Sequence, residues 1–179
     1  MPRLTEGLQD VVRTHMIFSP TNRRMIEANQ ANACNLCHVE KPIDWTLTHL
    51  KNWYPDAVPN YSETRIAANY PHRDGSVAVG WVKGKNEFTR MVAADALARA
   101  GAKWALPVII DQLDDPYVVN RQFTQKALDE MLGIDIRDFG YRFYMSSDER
   151  REPLKQLRSE LLKKYSESDK NAADSKPGI

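Results

Sequence analysis

Only two of the 179 residues are cysteine, Cys34 and Cys37, and so sparse a set excludes a disulfide-built scaffold. Three positions apart, they would close too short a loop to remove much unfolded-state entropy. Their spacing therefore points to chemistry rather than architecture. Neither sign of charge is in excess: 25 Lys and Arg face 24 Asp and Glu, a formal net charge of +1. That balance gives no global reason to expect nucleic acid or an anionic membrane as partner. Long apolar runs are missing too, and none approaches the roughly 18–20 residues that cross a bilayer. The opening stretch, MPRLTEGLQDVVRTHMIFSP, lacks the unbroken apolar core and small-residue cleavage site of a secretory signal. G-x-S-x-G, P-loop and H-E-x-x-H signatures are likewise absent.

What is present is ordinary for a globular chain: 42% apolar and 27% charged residues, in a length that suits one domain or two small ones. Residues 1–60 begin with an irregular arm. Ser19 is expected to cap a short helix opening at Pro20, followed by a second short helix near 33–38. PIDWTLTHLKNWY then places Ile43, Leu47, Leu50 and Tyr54 at helical spacing. Residues 61–86 mix Pro, Gly, Asn and Asp and read as a loop or linker, with a strand at SVAVGWV or a loop capped by Trp81. Residues 87–165 read as helices. Phe88, Val92, Ala96 and Leu97 form the apolar side of one, ended by Gly101, and Pro107 lies in the first turn of the next. A third, opened by Asp114, Asp115 and Pro116, buries Val118, Val119, Phe123, Ala127, Leu128 and Met131 and stops at Gly133. Leu154, Leu157, Leu161 and Leu162 mark a last helix over 147–165, and 166–179 read as a polar, disordered tail.

Both cysteines lie in ACNLCHVEK, residues 33–41, spaced C-x-x-C and followed at once by His38. Four readings compete. Two thiols so spaced can add to the two vinyl groups of a haem, leaving the adjacent histidine as axial ligand. A structural zinc site wants four ligands, so Cys34, Cys37 and His38 would need His15, His49 or His72. A redox dithiol expects a βαβ setting, and nothing here predicts a parallel sheet. The last reading is that the motif is incidental.

The surrounding text resembles bacterial multihaem c-type cytochromes whose last haem segment runs into HEAT-like repeats. The resemblance rests on R-x-H followed by SP at Arg13 to Pro20, on NACNLCH, and on W-T-x-x-H-L-x-x-W-Y at Trp45 to Tyr54. ALARAGAKWALPVIIDQLDDPYVVNRQFTQKALDEMLG, with its LDDP turn, is similar to one HEAT-type repeat and part of another. About three such repeats are needed for a stable stack, so this one must pack on something else.

The resemblance implies a mostly α fold, an irregular haem-binding segment followed by a short HEAT-like α-helical module. It implies haem c as cofactor, with Cys34 and Cys37 as thioether donors, His38 as proximal iron ligand and His15 as candidate distal ligand. Met16, Met25 and His49 are the alternatives on the distal side. Read from the residues themselves, Trp45 or Trp53 either walls the haem or belongs to the core, and Arg13 and Lys41 either pair with its propionates or form exposed salt bridges. The function implied is electron transfer, either alone or as a fragment of a multihaem oxidoreductase. Redox proteins or further haem segments would be the partners, in a homo-oligomer or larger complex, with no nucleic acid and no transmembrane segment. Location would be periplasmic or otherwise extracytoplasmic. MPR would then be the end of a C-x-x-C-H-M-P-R motif, with earlier haem segments and an export signal upstream. The competing class is a HEAT-like protein-interaction scaffold with a structural or redox C-x-x-C.

Overall fold

The structure, a computed structural model, describes residues 3–8, 10–14 and 18–174, with side chains described through 165. It is mostly helical. The arm holds more order than its sequence suggests: β1 (Thr5–Glu6) and β2 (Val11–Val12) pair antiparallel, Thr5 opposite Val12. Gly7 turns this hairpin, and a Cβ there would come within 2.8 Å of the Val12 side chain. Asn22, not Ser19, caps α1 (Arg23–Glu27), its side chain accepting the Met25 N–H at 3.1 Å. Ser19 instead bonds the Thr21 hydroxyl at 2.8 Å, so Pro20 sits in the preceding turn rather than in the helix.

The short α2 (Ala33–Cys37) and the longer α3 (Ile43–Trp53) form where the periodicity places them. Ile43 and Leu50 of α3 are buried, whereas Tyr54 follows the helix and is exposed. Residues 61–86 depart most from expectation. They fold into α4 (Glu63–Asn69) and α5 (Val77–Val82), each opened by a serine whose hydroxyl accepts the N–H three residues on. No strand forms at 76–82, because Ser76 caps a helix there. Trp81 is 2% exposed and donates its indole N–H to the Asn29 side chain at 2.7 Å.

A knot of polar contacts binds α1 to α4. Glu27 is buried and accepts the Ser62 N–H at 2.7 Å, Arg23 at 2.7 Å and Arg65 at 3.3 Å. These donors, the Ser62 N–H foremost, hold its carboxyl below the usual range. The Tyr70 hydroxyl donates to the Ile26 carbonyl at 2.7 Å.

The remaining helices are α6 (Glu87–Arg99), α7 (Leu106–Asp111), α8 (Val118–Leu132) and α9 (Ser147–Asp174). α6 is the central element, packing against α5, α8 and the hairpin. Gly101 and Gly133 follow α6 and α8 with φ of +64° and +63°, the left-handed conformation that stops a helix. Two residues expected on buried stripes, Phe88 and Val118, are exposed instead. They belong to the first turns of α6 and α8, and Phe88 meets the exposed Tyr117 edge to face. The backbone of α9 runs past Tyr165 to Asp174, so the helix extends into the stretch read as a disordered tail. One apolar cluster joins Val11, Ile26, Leu36, Trp81, Leu97, Leu128 and Leu161. The segment carrying both cysteines is thus part of the main core.

Candidate functional site

In a helix, positions i, i+3 and i+4 share a face. Within α2 and its cap that places Cys34, Cys37 and His38 together, with Asn35 and Leu36 opposite. The burial follows this division: Asn35 and Leu36 are buried, Cys34 is half-buried, and Cys37 and His38 are exposed. The turn is well held. Asn32 caps α2, accepting the Asn35 N–H at 2.9 Å, and the His38 N–H donates to the Cys34 carbonyl at 2.7 Å. Asn35 is fully buried; its amide donates to the Lys41 carbonyl at 3.0 Å and its oxygen accepts the Thr46 hydroxyl at 2.7 Å. The loop after His38 is pinned to the start of α5, where the Ser76 hydroxyl donates to the Val39 carbonyl at 2.6 Å. Asn35→Ala would remove these bonds and leave the Thr46 hydroxyl buried without an acceptor. Urea unfolding should show a loss of about 1–3 kcal/mol.

Beside the three outward groups is a hollow of about 240 Å³ lined by Pro20, Ala33, Cys34, Cys37, His38, Trp45, Leu50, Trp53 and Tyr54. Its wall is an aromatic series on one face of α3. Trp45 contacts the His38 ring at 4.8 Å between centroids and stacks on His49 at 4.2 Å; His49 meets Trp53 at 5.2 Å. Trp53 and Tyr54 are about half exposed. So much aromatic surface left open at one place is the kind of feature that marks a ligand or partner.

Burial, with a smaller contribution from neighbouring Cys37, pushes the Cys34 thiol above its ordinary range. The described residues include no group of three or more His, Cys, Asp or Glu side chains arranged to hold a metal ion. A four-ligand zinc site therefore has no built scaffold among them.

No protein-family model, curated protein or solved structure matches this chain.

The site accordingly rests on its own geometry. Cys34, Cys37 and His38 are brought together, and Trp45, His49 and Trp53 join them. His15 and Met16 lie outside the described residues. Lys41 pairs with Glu40 at 3.3 Å, and Arg13 is exposed. His72 lies away from the site, in the exposed loop before α5, where its carbonyl accepts the Gly75 N–H. Sequence reasoning overlooked Asn32 and Asn35, which hold the turn. The signal available was asparagine three residues ahead of a helical position, a capping arrangement.

The donor set fits a covalently held haem: one exposed and one half-buried thiol, an imidazole on the same face and an aromatic wall. The hollow falls just short of the roughly 300–1,000 Å³ of pockets that enclose a whole ligand. It suits a group bound at one side with the remainder left open.

Proposed function

We propose that this chain is an electron-transfer protein carrying a c-type haem on Cys34 and Cys37, with His38 as its proximal ligand. The observation that carries this reading is the division of α2 into two faces. The two thiols and the imidazole turn outward beside an aromatic hollow, while Asn35 and Leu36 anchor the turn in the core. Cys34 and Cys37 would each hold a vinyl group of the haem as a thioether, the S–H adding across the double bond, sulfur to one carbon and hydrogen to the other, with no net oxidation. A haem held there supplies an iron that takes up and gives back one electron. The chain's own part is to hold the ring of His38, exclude water from one side through Trp45, Trp53 and Tyr54, and keep the turn rigid through Asn32 and Asn35. His15 is the proposed distal ligand. Two protein ligands, His38 and His15, would favour electron transfer over substrate binding at the iron.

Helices α6, α7 and α8 are the proposed HEAT-like module, supported by the packing of α6 and α7 against α8 and by the left-handed stops at Gly101 and Gly133. The α2–α3 segment and the α9 helix take the place of missing neighbouring repeats, since both belong to the same apolar cluster. Among the described residues no helix is long and apolar enough to cross a membrane. Redox proteins or further haem segments are the proposed partners, and an extracytoplasmic location follows from the chemistry of haem attachment.

The test is expression by an export route together with a haem-attachment system. The expected product is red, heavier by one covalent haem, with a low-spin Soret band. A colourless protein retaining two free thiols would overturn the proposal.

A further inference from the structure

We infer that Trp45, clamped by His49, fixes the ring of His38 and so acts as a positioning residue for the iron ligand; this rests on the haem reading above. His38 is exposed and caps a helix of five residues, a position that would ordinarily leave an imidazole free to turn. Here its ring lies against Trp45, with centroids 4.8 Å apart and planes inclined by 49°. Trp45 is itself held. His49 stacks on it at 4.2 Å and 30°, and His49 Nδ1 donates to the Trp45 carbonyl, with the two atoms 2.8 Å apart. Trp53 closes the series, edge-on to both Trp45 and His49.

Residues 45, 49 and 53 are successive i, i+4 positions on α3, so one rigid helix sets all three rings. Metal-bound histidines are commonly oriented by a hydrogen bond from the second ring nitrogen. At His38 ring packing takes that role. The same arrangement gives His49 a function other than ligating the iron opposite His38. Trp45 is the ring that both imidazoles contact, so His49 belongs to the His38 side of the site.

The haem-free and haem-loaded full chains test this separately. In the haem-free chain the Trp45 ring current should displace the His38 Cε1–H and Cδ2–H resonances from free-histidine positions. Trp45→Leu should abolish the displacement, His49→Leu should reduce it and Trp45→Phe should retain part of it. In the loaded chain Trp45→Leu should alter the ferric g-values and the midpoint potential, with Trp45→Phe restoring them towards wild type and Trp104→Leu, on an exposed tryptophan elsewhere, changing neither. His38 resonances at free-histidine positions in the wild type would overturn the clamp. Unchanged g-values and potential in Trp45→Leu would overturn the positioning role. A chain that takes up no haem yet shows the displaced resonances would overturn the ligand role while establishing the packing itself.

Discussion

Cys34→Ser combined with Cys37→Ser will reduce covalent haem from one per chain to none under conditions that load the wild type. Serine is close to cysteine in size but cannot form the thioether. Cys37 is exposed and Cys34 only half-buried, so the exchange removes little core contact. The unfolding free energy of the haem-free protein should therefore change by less than about 1 kcal/mol. That separation matters, because a colourless variant is informative only if the turn still folds. The single variants should each keep one thioether, giving reduced yield and a shifted haemochrome spectrum. His38→Ala should retain both thioethers and lose the low-spin band. Mass spectrometry of the denatured chain reads the first effect and absorbance the second. Wild-type haem content in the double serine variant would show that the thiols are not the attachment points.

The part of this site that could be read from sequence is local. C-x-x-C-H places three groups on one face by helical geometry alone, and α2 and α3 form where spacing puts them. The aromatic wall was half legible: Trp45 and Trp53 stood out, whereas the contact of Trp45 with both His38 and His49 depends on how α3 leaves the turn at Lys41 and Pro42. Residues 61–86 were misread for a related reason. Their helices are seven and six residues long, too short for periodicity to register. What stabilises them lies far away in the chain, in Glu27 beneath Ser62 and Asn29 beside the Trp81 indole. Phe88 and Val118 fit the helical repeat yet escape burial, because the first turn of a helix can project beyond the elements that cover the rest of it. His15, on which the far side of the proposed haem depends, falls outside the described residues.

Asp115→Ala will destabilise the fold by about 3–5 kcal/mol, the range for removing one partner of a buried ion pair. In sequence Asp114 and Asp115 read together as a helix-opening turn, and the Asp115 carboxylate does accept the Tyr117 N–H at 2.8 Å. The same carboxylate, however, also takes two bonds from Arg90, at 2.6 and 3.1 Å, and one from the Asn120 amide at 3.1 Å. Asp114, its exposed neighbour, pairs with Arg150 on α9 instead. Asp115 is 4% exposed, and Arg90 is 25 positions away on α6, so the pair joins α6 to the turn that opens α8. Burial by itself would raise the Asp115 carboxyl; Arg90, the Tyr117 N–H and Asn120 outweigh it and hold it below the ordinary range. A carboxyl lowered on folding contributes fully above its unfolded pKa, about 3.9, and loses that contribution as pH falls through the folded value. The difference in unfolding free energy between wild type and Asp115→Ala should thus be flat above about pH 5 and shrink below about pH 4. Arg90→Met alone should be costly as well, since it leaves the carboxylate buried without its cation. The double variant Asp115→Ala with Arg90→Met should cost less than the two singles added together, because neither charge is then left uncompensated. Urea titrations across pH 3–7 measure all three. A loss below about 1 kcal/mol in Asp115→Ala would mean that the pair does no more than an exposed salt bridge, and that apolar packing and the Asn120 amide bond to the Glu87 carbonyl join α6 to α8 without it.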